Sequence, residues 1–179
     1  MRYSFIIILL LALSFLGCER DDICSNDTET TPKLIIKFYD VTNPNTDESL
    51  DVTNLVVQGV DNDDVLSDYD IVATDSIAIP LKTTDNTTQY SLYEEYVLND
   101  NDTPDDDSDD YVTGNEDIIT ITYELEEVYV SRACGYKTVY RNVSINLEAD
   151  SDNWIQLIRS VDDNQSVEDE TEQHFKFYH

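Results

Sequence analysis

Apolar and polar positions alternate with a period of two along most of this chain, the pattern of half-buried β-strands. Leu34-Ile35-Ile36-Lys37-Phe38-Tyr39 is β-branched and aromatic, and it stops at a turn cluster of Asp40, Asn43 and Pro44. A second run spans residues 55–60 and is halted by Asp and Asn at 61–64. In the third, Ile77, Ile79 and Leu81 alternate with small residues; Pro80 lacks an N–H, so this strand lies at an edge or ends there. Residues 89–98 form the fourth. Ile119, Ile121, Tyr123 and Leu125 then alternate with Thr120, Thr122 and Glu124. Beyond Glu126-Glu127 the apolar register passes to Val128 and Val130, so a bulge or tight hairpin is expected, because a one-residue slip exchanges the two faces. Residues 138–147 and 153–161 complete the set, although Trp154 and Ile158 also fit one face of a short helix. Seven to eight short strands and no persuasive helix predict an all-β chain, an antiparallel β-sandwich of immunoglobulin-like or transthyretin-like architecture.

One segment breaks this pattern. Arg2 supplies a positive start, residues 5–16 are almost wholly apolar, and Ser14-Phe15-Leu16-Gly17 leads into Cys18. This is the organisation of a signal peptide ending at a cysteine, and it makes Cys18 the expected lipidation site. The apolar run falls short of the roughly 20 residues a spanning helix needs, and Glu19-Arg20-Asp21-Asp22 follows at once. Four parts are expected: a lipoprotein signal peptide at 1–17, the lipidated cysteine with a polar linker at 18–32, the sandwich at 33–162, and an acidic C-terminal tail at 163–179. The end of that tail is expected to fray, or to dock Phe175, Phe177 and Tyr178 as an extra strand.

Export places the chain in an oxidising compartment, where the two remaining cysteines, Cys24 and Cys134, are expected to pair. Only six residues would then separate the lipid from the fold, a leash of about 20 Å when fully extended. Charge bears on what lies near that leash. The full chain carries a formal −29, and residues 18–179 hold 9 basic against 39 acidic side chains, a formal −30. Such a surface excludes nucleic acid as a partner and repels an anionic bilayer within a Debye length, so the acidic loops are expected to face outward or to hold counter-ions.

The acids are clustered, with seven aspartates in residues 100–110 and six acidic residues in 162–172. Blocks of like charge are most simply solvated loops or tails. The first block also offers Asp100, Asp102, Asp105, Asp107 and Asp109 as candidate Ca²⁺ ligands, since Ca²⁺ takes six to eight oxygens. Pro104 stands where an EF-hand needs glycine, so any binding would be of low affinity and selectivity. No other cofactor is expected. His174 and His179 are the only histidines and neither adjoins a candidate nucleophile, no His/Cys cluster suits zinc, and Gly59, Gly114 and Gly135 build no phosphate loop. No catalytic residue is proposed, and a non-enzymatic protein is expected. Arg132, Lys137, Arg141 and Arg159 gather around Cys134 in the sequence, as an anion contact or as partners of carboxylates. The twelve tyrosines are read first as strand residues, ahead of a carbohydrate- or protein-binding surface.

The segments CERDDIC, PKLIIKFYD, DSIAIPL, NEDIITITYELEEVYVSRACGYKTVY and NWIQLI together resemble an uncharacterised family of Bacteroidota lipoproteins, known only as a domain of unknown function. The resemblance spans most of residues 18–161; its most specific piece is Val130-Ser131-Arg132-Ala133-Cys134-Gly135-Tyr136, and residues 100–110 stand out as an insertion. It implies a lineage and a compartment but no activity. Glu19-Arg20-Asp21-Asp22 is similar to the acidic export signal that sends lipoproteins of such bacteria to the cell surface. The expectation is therefore an outer-membrane, lipid-anchored and surface-exposed sandwich, serving as a binding or envelope-assembly module. Its partners would be the membrane, through the anchor, and an envelope protein or glycan. The alternative is a divalent-cation-dependent adhesion or glycan-binding module. Neither the ligand nor the oligomeric state is legible in the sequence.

Overall fold

The computed structural model describes residues 24, 25, 28, 30–62, 64–101, 103 and 107–179, with the backbone alone for Asp107. The signal segment and Cys18 lie outside the described residues. Among those described there is no α-helix, only one turn of 3-10 helix at Asp107–Asp109, and nine strands arranged in two sheets. The chain is an antiparallel-rich β-sandwich, as the alternation predicted, with nine strands rather than seven or eight.

The strands are β1 (Leu34–Tyr39), β2 (Val52–Gly59), β3 (Val65–Thr74), β4 (Ser76–Ile79), β5 (Thr87–Asn99), β6 (Tyr111–Ser131), β7 (Gly135–Leu147), β8 (Leu157–Ser160) and β9 (Phe175–Tyr178). One sheet has the order β4-β1-β9-β8, the other β3-β2-β5-β6-β7. In an immunoglobulin constant domain the second and third strands fall in opposite sheets; here β2 and β3 pair within one sheet, so the order is a different one.

Burial follows the pleat. Leu34, Ile36 and Phe38 of β1 point inward with no exposed surface, and so do Ile77 and Ile79 of β4, which pair with Ile36 and Leu34. They meet Leu55 and Val57 of β2, Tyr90 and Leu92 of β5, Ile119, Ile121 and Tyr123 of β6, and Tyr140 and Val143 of β7 from the opposing sheet. Between β4 and β5 the chain crosses from one sheet to the other, which leaves three successive carbonyls without ladder partners. Three buried tyrosines satisfy them. Tyr90 donates its hydroxyl to Pro80 O (2.6 Å), Tyr140 to Leu81 O (3.0 Å) and Tyr123 to Lys82 O (2.9 Å). Burial pushes the Tyr90 and Tyr140 hydroxyls up to about 12, so both remain donors at any physiological pH.

Three expectations need correction. Of the two alternatives for the C-terminal residues, fraying is wrong and docking is right, though more deeply than expected of a tail: β9 is an inner strand, parallel to β1 and antiparallel to β8, and Phe175, Phe177 and Tyr178 are buried. The acidic stretch before it packs as well. Val167 is fully buried and bridges Tyr140, while Gln165 O accepts from Val143 N, so this stretch covers the outer edge of β7. An uncovered edge would be a template for another chain's strand. Second, no break occurs at Glu126-Glu127, because β6 runs unbroken from Tyr111 to Ser131. The pairing of β6 with β7 shifts register twice: β7 gains one position around Asn142 (φ 50°), and β6 gains one between Tyr129 and Ser131, just before the turn, so the expected bulge and tight hairpin fall at the end of β6 rather than at Glu126-Glu127. Val128 and Val130 are half-buried where β6 has outrun the central core. Third, Trp154 sits in a loop and donates Nε1–H to Leu92 O (3.2 Å), and the residues after it enter β8 rather than a helix.

Candidate functional site

Cys24 and Cys134 form a disulfide across 110 residues, with Cα atoms 5.0 Å apart. Cys134 lies in the turn joining β6 to β7, where Cys134 N–H donates to Ser131 Oγ (3.1 Å) and Gly135 takes φ 75°, a conformation glycine adopts without strain. From this turn the N-terminal segment runs back along β7. Thr31 Oγ1 accepts from Thr138 N–H (3.0 Å), and Lys33 N–H donates to Glu170 Oε1 (2.8 Å) just before β1 begins. The described part of the expected linker is thus fastened to the fold at both ends. A groove of about 500 Å³ separates it from the hairpin tip, lined by Thr28, Thr30, Val130, Tyr136 and Lys137 among others.

The other end of the same strand carries the acidic loop. β6 has 21 residues, so its two ends stand up to about 66 Å apart at the usual rise of ~3.3 Å per residue, less with twist. Past Glu94 and Asn115 the β5–β6 pair leaves the core, exposing Val97, Leu98, Tyr111 and Val112. A bulge at Glu95 (φ 53°) faces Gly114 (φ 133°), where a Cβ would stand 2.9 Å from Glu94 O; only glycine suits that close approach. Within the loop, Asp109 accepts from Asn101 Nδ2 (3.0 Å) and Thr103 Oγ1 (2.7 Å), and these bonds hold its carboxyl below the usual range. Of the five candidate Ca²⁺ ligands, Asp102 and Asp105 lie outside the described residues, as does the side chain of Asp107. Among the described residues no three His, Cys, Asp or Glu side chains converge as a metal site.

The basic residues grouped in the sequence separate in space. Arg141 pairs with Glu126 (2.6 Å) and with Glu168. Lys137 Nζ donates to Glu168 O (3.1 Å), so both side chains tie the acidic C-terminal stretch to the β6–β7 hairpin. Arg159 belongs to β8 in the opposite sheet, stacked 5.2 Å over the Tyr178 ring and donating to Pro44 O (2.9 Å).

Both histidines are structural in their contacts. His174 Nδ1 accepts from Ile35 N–H (2.9 Å) while His174 N–H donates to Ile35 O (2.9 Å), and burial holds the ring's pKa below its ordinary value. His179 packs edge-on against Phe38 and Trp154, with centroids 6.0 and 5.6 Å away, and lies 3.6 Å from Glu94. One carboxylate was not singled out by the sequence. Asp117 is fully buried in β6 and accepts from Asn153 Nδ2 (2.8 Å) and Ile155 N–H (2.8 Å), pinning the Trp154 loop; burial raises its carboxyl above the ordinary range, partly offset by those bonds. No sequence signal distinguishes it among 39 acids, except its place on the inward parity of β6.

Fold and site together define a disulfide-clamped, all-β domain in which Cys24 is fixed at one end of a long hairpin. The chain belongs to a family of unknown function, DUF6452, whose model matches residues 54–179. No curated protein and no solved structure matches it.

Proposed function

We propose that this protein is a bacterial outer-membrane lipoprotein of Bacteroidota type, acylated at Cys18 and serving as a non-enzymatic binding or envelope-assembly module. The observation that carries this reading is the position of the disulfide. A bond between Cys24 and Cys134 belongs to an oxidising compartment, consistent with export under the signal at 1–17. It also fixes Cys24, six residues after Cys18, to the tip of the β6–β7 hairpin, so the lipid leash is about 20 Å at most. The acidic loop lies at the far end of β6, which gives the strongly anionic domain an orientation that keeps this charge beyond the ~8 Å over which an anionic bilayer repels it.

Membrane fractionation of producing cells tests this. The mature chain should sediment with membranes, extract into detergent and lose that behaviour in a Cys18→Ser variant. Recovery of the wild-type chain in the soluble fraction without acyl mass would overturn the anchor.

A second reading is favoured by the same geometry: a loop presented so far from the anchor suits divalent-cation-dependent adhesion or glycan binding through residues 100–110. Calorimetry with millimolar Ca²⁺ decides it, and neither heat nor a shift in melting temperature would remove it.

A further inference from the structure

Tyr129 and Tyr136 are the two most exposed large hydrophobic side chains among the described residues, at 59% and 66%. They are cross-strand neighbours on β6 and β7, with rings 5.5 Å apart in an edge-to-face arrangement, beside the Cys24–Cys134 clamp. The sequence around them is also unusual. Residues 128–147 are the longest stretch after the signal segment without an Asp or Glu, and they hold Arg132, Lys137 and Arg141. In a chain carrying 39 acids, this stretch itself adds no negative charge beside the clamp.

We infer that the β6–β7 hairpin tip is a foot that rests in the lipid headgroup layer, with Tyr129 and Tyr136 at the interface; this rests on acylation of Cys18 as proposed above. Three observations select a bilayer as the occupant. The chain between the acyl group and Cys24 is six residues long and ends at this tip, so the tip never strays more than about 20 Å from the lipid. Tyrosine rings partition to membrane interfaces, because they pair an apolar body with a polar hydroxyl. The strands that carry the rings hold no acid from Val128 to Leu147, so no carboxylate of that stretch opposes the headgroup phosphates. The contact needs little affinity of its own, since a short tether holds the tip at an effective concentration of about millimolar or more. Its effect is orientation: the domain stands upright on one end of β6 and presents the acidic loop at the other.

The test uses the mature acylated protein reconstituted in vesicles of phosphatidylethanolamine and phosphatidylglycerol, with and without brominated acyl chains. A Tyr136→Trp variant reports on the tip and a Tyr111→Trp variant on the far end of β6; a Tyr129→Trp variant repeats the tip measurement at its neighbour. All three are exposed positions that tolerate an indole, and the buried Trp154 gives the same background in each. The tip variants should show a blue-shifted emission with quenching at least about twofold greater than that of the far-end variant. If the protein floats with the vesicles but the tip is quenched no more than the far end, the foot is wrong and the patch faces solvent or another protein. If the protein does not float with the vesicles, the anchor reading fails and the foot falls with it.

Discussion

Replacing both bridging cysteines, Cys24→Ser with Cys134→Ser, removes the longest covalent constraint in the mature chain. The bridge closes 110 residues, and chain-entropy arguments assign about 4.7 kcal/mol to a loop of roughly 100 residues, acting on the unfolded state. Part of this returns in the folded variant. Cys24 and its described neighbours lose their anchor at the hairpin tip, while the Thr31–Thr138 and Lys33–Glu170 bonds still hold the chain that follows. Freeing one or two of those residues restores about 1–2 kcal/mol each, leaving a net cost of about 1–4 kcal/mol. For a domain of this size that is a fall in melting temperature of roughly 2–15 °C. Thermal unfolding of the mature chain followed by circular dichroism checks it, with the wild type in reductant expected to match the double variant. A fall below about 2 °C would refute the reasoning, because it would mean that the unfolded chain gains almost no freedom when the bridge is cut.

Truncation after Gln173 should leave no folded protein, since it removes an inner strand and the burial of Phe175, Phe177 and Tyr178, each contributing about 1.5–3 kcal/mol; a cooperative melt of the truncated chain would restore the view of residues 163–179 as a tail. Tyr140→Phe should cost about 1–3 kcal/mol, because Leu81 O then lies buried without its donor; a chemical-denaturation midpoint equal to the wild type would count against this role. His174 gives a pH dependence of definite sign. Its folded pKa lies below the unfolded value near 6.5, so the unfolded chain binds the proton first. Stability is therefore full above about pH 6.5 and declines as pH falls through that value, at up to about 1.4 kcal/mol per pH unit. Denaturation of wild type and a His174→Gln variant between pH 7.5 and 5.5 isolates the effect, and identical pH profiles would exclude it.

How legible all this was depended on how strictly each strand alternates. β1 and the central part of β6 read directly, since every second residue enters the core. β3 was missed because it is an exposed edge with bulged pairing to β2; Ile71 takes φ 55° and is half exposed, so no period of two survives. β9 was half seen: four residues behind an acidic run resemble a docking tail, and nothing local shows that β1 leaves a vacant parallel position beside it. The change of apolar parity after Leu125 was real, but its cause lay in tertiary structure, as the hairpin outruns the central core. The disulfide was legible by elimination, with two cysteines remaining once Cys18 is assigned to lipid. Asp117 was not, because its role depends on a loop 36 residues away.

The central claim is an acylated Cys18 held close to a clamped Cys24, and intact mass of the membrane-extracted protein under non-reducing conditions tests it most directly. The account predicts the mass of residues 18–179 plus acyl chains, short by two hydrogens that return on reduction. A chain starting elsewhere, or one without acyl mass, would contradict it.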